Sequence, residues 1–252
     1  APFAIWLAPI FLVRFFRAQA RWPITLLALP AMALPLFLNI HGGWDFPLAA
    51  EIGVGAVRAL PVLLALYADR FLARRMPAGA ATLVFPTAWV AADYLLALTP
   101  LGTVFSPAAT QFHAPQLVQM ASVTGIWGLT FAIGWLAALI NLAWERGFEL
   151  RAVAAPAVAF AVVVSVLLLA GGWRLSHAPA AATVRVAGVT VEHARDYWAA
   201  VVDVATPRDV AQRYADELER LQAELFAESE RAVEAGARIV FWSEGNAVIY
   251  PE

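Results

Sequence analysis

Long apolar runs separated by short arginine clusters fill the first two thirds of the chain; beyond about residue 183, apolar and charged residues intermix at short spacing. Six apolar stretches stand out, at residues 2–13, 22–40, about 48–67, 80–98, about 123–144 and 152–171. The last five approach the ~20 residues that a helix needs to cross about 30 Å of hydrocarbon. The first is shorter and begins at the start of the sequence, as a span that continues upstream would. Pro30 and Pro35 fall inside the second stretch, which membrane helices tolerate better than soluble ones. The pattern predicts a bundle of about six membrane helices over residues 1–175.

From residue 182 to 252 the period changes. The run TVRVAGVTV at 183–191 is rich in β-branched residues and predicts a strand. Thr206-Pro207 with Asp209 reads as a helix start: an N-cap, a first-turn proline and an acid near the positive end of the dipole. Val210, Tyr214, Leu218, Leu221 and Leu225 follow at helical spacing, Ala235-Gly236 ends the helix, and RIVFW at 238–242 predicts a second strand. Strand, helix, strand is a crossover unit of an α/β sheet.

Composition and charge sharpen this division. Of 252 residues, 62% are hydrophobic and 14% charged, against roughly 45–50% and 25% in ordinary globular chains. Arg14, Arg17 and Arg21 follow the first stretch, Arg70, Arg74 and Arg75 the third, and Arg146 and Arg151 flank the connection after the fifth, whereas 41–47 and 99–118 hold no arginine. Arginine collects in cytoplasmic loops, so everything after Arg174 is expected outside the cytoplasm. Trp22, Trp44, Trp144 and Trp173 near the stretch ends suit an interfacial belt. Beyond residue 182, thirteen acids outnumber seven arginines, a balance that argues against nucleic-acid binding.

The chain has no cysteine and no lysine, which removes disulfides, thiolate metal sites and a cysteine nucleophile from these residues. His41, His113, His177 and His193 lack metal-ligand spacing, so no metal site is expected. Glu244 is the candidate catalytic residue. It closes the second strand in FWSEGN, with Gly245 permitting a tight turn, and ligands of open α/β sheets bind beyond the carboxyl ends of strands. A carboxylate there could act as a general base; the other reading is a solvated carboxylate or one that caps a backbone amide. Within the spans, Arg58, Glu51 and Asp93 are expected to pair across helices, Arg58 with Asp93 first and Glu51 second, because buried membrane charges are costly alone. A substrate role is the other reading. The loop 99–118, with Gln111 and His113 as its polar residues, reads as a lid or lipid-entry loop, or as an interfacial loop under the soluble domain.

The stretch GARIVFWSEGNA, with Glu244 ending the strand, resembles the glutamate motif of the nitrilase (carbon–nitrogen hydrolase) superfamily, and VRVAGVTVE resembles that domain's first strand. The segments VFPTAWVAADYLLALTPLGT and LVQMASVTGIWGLTFAIGWLAALINLAWE resemble membrane segments of the bacterial apolipoprotein N-acyltransferases. The resemblance implies a multispan helical bundle followed by the first part of an extracytoplasmic α-β-β-α nitrilase-like sandwich, in the bacterial inner membrane. It further implies a Glu–Lys–Cys triad, no cofactor, a phospholipid acyl donor and the N-terminal amine of a lipoprotein as acceptor. Glu244 matches the triad's base; the lysine and cysteine match nothing here, because the chain contains neither. In the family they follow the glutamate, so the sequence reads as a fragment, inactive alone. The tryptophan-containing stretch usual after the fourth span is here TVFSP, at 103–107. Alternatives are a membrane-anchored amidase of the same superfamily and a membrane scaffold without catalysis.

Overall fold

Helices form in all six apolar stretches. A computed structural model describes residues 3–19, 21–41, 47–99, 102, 106–177, 183–190 and 215–242. The chain divides into two units, one holding the helices up to Ala178 and one holding the strands and the helix between them.

In the helical unit, α1 spans Ala4–Ala18, α2 Ala28–Ile40, α3 Leu48–Leu72, α4 Ala78–Ala81, α5 Val84–Ala97, α6 Pro115–Val118, α7 Ala121–Thr124, α8 Ile126–Glu145 and α9 Leu150–Ser176. Among the described residues, four helical runs are long and apolar enough to cross a membrane: Leu48–Arg75, Ala78–Ala97, Ile126–Glu145 and Leu150–Ser176. Thr25–Ile40 is a shorter apolar helix.

Proline and glycine set the boundaries. The second stretch opens as a 3₁₀ helix, Trp22–Leu27, before α2 begins at Ala28. This places Pro30 in the first turn of α2, where its missing N–H leaves no bond unmade. Pro86 does the same for α5, and the chain turns at Thr82–Leu83 between α4 and α5. Gly125, at φ 62°, starts α8 from a left-handed conformation that favours glycine.

Packing centres on α1, α3, α5 and α8, whose Phe16, Leu66, Phe85 and Ile133 are fully buried. Lipid tails are as apolar as these side chains, so close fit and interhelical polar contacts hold such a bundle together. Gly134 of α8 lies against Pro86 and Trp89, where a Cβ would come within 3.1 Å of the Pro86 backbone, and Gly55 of α3 meets the Ala33 carbonyl of α2 at 3.0 Å in the same sense. The Asn141 amide is buried and donates to the Ile10 carbonyl at 2.8 Å, tying α8 to α1. By contrast α9 is apolar all round and exposes Val158, Val162, Val166 and Leu169, as a lipid-facing helix does.

In the second unit, β1 (Val186–Val189) pairs in parallel with β2 (Ile239–Trp242), in the register Val186 with Ile239 through Val189 with Trp242. The helix between them, α10 (Ala215–Glu234), buries Leu221 and Leu225. Gly236, at φ 91°, follows the helix, matching the expected terminator. The strand–helix–strand crossover read from the sequence is therefore present. The parallel pair is the extent of sheet among the described residues, and a sandwich is not among them.

Candidate functional site

The helical unit forms a partly open apolar chamber of about 930 Å³, walled by α1, α2, α3, α5 and the segment 106–112. Most of its lining is aliphatic or aromatic; Asn39, Arg58, Asp93, Ser106 and Thr110 supply the polar exceptions. Proline contributes to the shape. Pro35 lies inside α2, takes an N–H from the helix ladder and lines the chamber with Ala31, the residue four positions earlier.

The intramembrane charges sort themselves. Arg58, buried on α3, and Asp93, half-buried on α5, line this chamber and attract one another across the two helices. Glu51 has a different partner. Its carboxylate is buried and meets His41 Nδ1 at 2.8 Å, and the His41 ring stacks on Phe37 with centroids 4.9 Å apart. This contact clasps the end of α2 to the first turn of α3, where an acid also suits the helix dipole. Glu51, the second choice of partner for Arg58, is thus engaged with His41, while Asp93, the first, lines the same chamber as Arg58.

The loop after α5 enters the bundle. Ser106 caps a 3₁₀ turn, Pro107–Gln111, by accepting from the Ala108 N–H. Gln111 is buried and accepts a hydrogen bond from Trp6 Nε1 at 3.0 Å. Phe112 is exposed and also lines the chamber. The sequence singled out Gln111 as a polar handle, but its partner Trp6 lies 105 positions away and no local pattern links the two. Ser106 and Asn39 were not anticipated as lining residues; a serine before a proline is the cap signal that marks the first.

Glu244 lies outside the described residues, as do Thr206, Pro207, Asp209, Val210 and Tyr214. What the structure describes is the approach to it. The register ends β1 and β2 together, at Val189 and Trp242, two positions before Glu244 in the chain. Trp242 is held from the helix side: its Nε1 donates to Ser229 Oγ at 2.9 Å, and its ring meets Phe226 edge-on at 5.5 Å. Among the described residues no group of three metal-ligating side chains gathers.

Four membrane-length helices, a chamber lined mainly by apolar side chains and charged residues facing into it define a multispan helical membrane protein. No family model matches the chain, and no solved structure matches it. It is similar to the apolipoprotein N-acyltransferase of Geobacter metallireducens, with 34% identity over 136 residues, 51% of this chain and 26% of the relative. The chain thus spans about a quarter of the length of the curated relative it matches. The resemblance read from the sequence motifs agrees with this similarity.

Proposed function

We propose that this chain is part of a membrane-bound N-acyltransferase that moves an acyl group from a phospholipid to the N-terminal amine of a lipoprotein, with Glu244 as general base. The observation that carries the reading is the 34% identity to an apolipoprotein N-acyltransferase, in a chain with four membrane-length apolar helices. The expected chemistry has two transfers. A cysteine thiolate attacks the ester carbonyl of the donor, forming a thioester and releasing the lysophospholipid. The acceptor amine then attacks the thioester, and its proton passes to a base as the thiolate leaves. The carboxylate of Glu244 serves by taking the thiol proton and handing it to the departing lysophospholipid oxygen in the first transfer, then taking the amine proton and returning it to the thiolate in the second. Neither cysteine nor lysine occurs in these 252 residues, so the nucleophile must come from elsewhere in the full-length gene product, and this chain alone is expected to transfer no acyl group.

The test is Glu244→Gln in the full-length gene product, with membrane insertion verified first. It keeps the shape and removes the base, and should lower acyl transfer to a lipoprotein peptide by about 10²–10⁴-fold. Undiminished transfer would reject Glu244 as the base. Release of free fatty acid or ammonia without transfer to the peptide would replace the transferase with a hydrolase.

A further inference from the structure

A second pocket of the helical unit lies at the opposite extreme of polarity from the chamber. It measures about 410 Å³ and is formed where four helices end or begin: the last turn of α1, the end of α3 with its 3₁₀ extension Ala73–Arg75, the start of α4 and the end of α8. Its charged lining is Arg17, Arg70, Arg74 and Arg146 against Asp69 and Glu145, an excess of two positive charges.

The six groups differ in what they do. Arg17 is committed: Nε and Nη2 grip both oxygens of the buried Asp69 at 2.7 and 2.8 Å, and Nη1 lies 3.5 Å from Glu145. Arg70 and Arg74 each reach back to the end of α1, donating to the Phe16 carbonyl at 2.7 Å and the Arg17 carbonyl at 3.0 Å. Those carbonyls are among the last four of the helix, which have no acceptor role within it. A guanidinium carries five N–H donors, so one such bond leaves most of the Arg74 fork directed elsewhere. Arg74 and Arg146 are both exposed at this pocket.

Two observations suit a place for this pocket near lipid headgroups. The Arg14 guanidinium sits 5.1 Å from the ring centre of Trp144, a half-exposed tryptophan one residue before Glu145, and tryptophan marks the membrane–water interface. Met76 lines the pocket, and Met76, Phe71 and Leu72 are exposed apolar side chains at the same helix end. A cationic pocket beside an apolar outer surface fits a molecule with an anionic head and an aliphatic tail. Planar guanidinium groups match phosphate oxygens in pairs.

We propose that this pocket binds the phosphodiester of an anionic phospholipid, with Arg74 and Arg146 as its principal contacts. The site is separate from the transferase reading and stands whether or not that reading holds. Native mass spectrometry of the protein in a zwitterionic detergent, titrated with short-chain phosphatidylglycerol, phosphatidylcholine or inorganic phosphate, tests it. Phosphatidylglycerol should bind selectively over phosphatidylcholine. The double variant Arg74→Gln/Arg146→Gln should bind it roughly ten- to thirtyfold more weakly, at about 1 kcal/mol for each arginine. Arg151→Gln, an exposed arginine of α9 outside the pocket, should bind as the parent does. If the double variant fails to fold, the exposed Arg146→Gln alone carries the test and should weaken binding by about threefold or more. Equal binding of the two lipids, or an unchanged affinity in the folded variants, overturns the proposal. So does inorganic phosphate that binds as tightly as phosphatidylglycerol, since the site would then recognise a free anion.

Discussion

Arg17 and Asp69 show what a single pair contributes in this bundle. Both side chains are almost wholly buried, and the contact is bidentate. A charge at this depth is tolerated only while its partner is present, and removing one partner of a buried pair typically costs about 3–5 kcal/mol. Asp69→Asn keeps the volume and strands the guanidinium, with Glu145 at 3.5 Å as its remaining acid. We expect it to lower stability by about 3 kcal/mol or more, read as a fall in the unfolding midpoint in detergent. The double change Arg17→Met/Asp69→Leu should recover most of that loss, because apolar replacement of a whole buried pair is often neutral. A single variant as stable as the parent would show the pair to be incidental. Nothing local in the sequence marks this contact, since the partners lie 52 positions apart. Arg58 and Asp93 were legible for the opposite reason: each falls inside a long apolar run, where charge demands an explanation.

At the scale of elements, the hydrophobic pattern located the long helices of the bundle but neither their internal breaks nor the short helix α6, which lies in the segment 99–118 read as a loop. Pro30 and Pro86 shift helix starts by a few residues because each needs a first-turn position, and a hydropathy window averages over that. Close approaches are still less visible, since they depend on what a glycine faces. Gly171 and Gly172 are adjacent on α9 and look equivalent in the sequence. A Cβ on Gly171 would clash with the Gln116 carbonyl oxygen, whereas one on Gly172 meets nothing within 4 Å. Gly171 is buried, and this is where α9, otherwise largely exposed, rests on α6. Gly171→Ala must push α9 away from backbone, at an overpacking cost of about 1–3 kcal/mol. Gly172→Ala should be neutral, or stabilising by up to about 1 kcal/mol from helix propensity. Thermal unfolding of the two variants side by side distinguishes them, and equal behaviour would mean that α9 does not rest against Gln116.

For the whole molecule, the arginine alternation carried information that the coordinates of the helical unit bear on directly. Counting spans places the connections after the first, third and fifth stretches on one side, and the ends of α1, α3 and α8 do line one pocket with Arg17, Arg74 and Arg146. The described residues agree with the alternation. The β–α–β unit was legible because its periods switch cleanly from two to 3.6 and back, while Glu244, the residue expected to do chemistry, lies outside the described residues. Orientation therefore rests on the physics of insertion. Arginine is retained on the cytoplasmic face, most strongly in short connections close to the span ends, and all three arginine-bearing connections here are short. With the helix α9 crossing once more from the last of them, residues after 182 should be extracytoplasmic. Alkaline phosphatase fused after Ala182 should be active and β-galactosidase at the same point inactive. The reverse pair would invert the topology and put Glu244 in the cytoplasm, where the proposed lipoprotein acceptor would have to be met before export. Moving the asymmetry tests the cause as well as the outcome: replacing Arg146 and Arg151 with glutamine while placing two arginines in the 41–47 connection should lower phosphatase activity of the same fusion. A fusion indifferent to that exchange would show that some other feature orients the bundle.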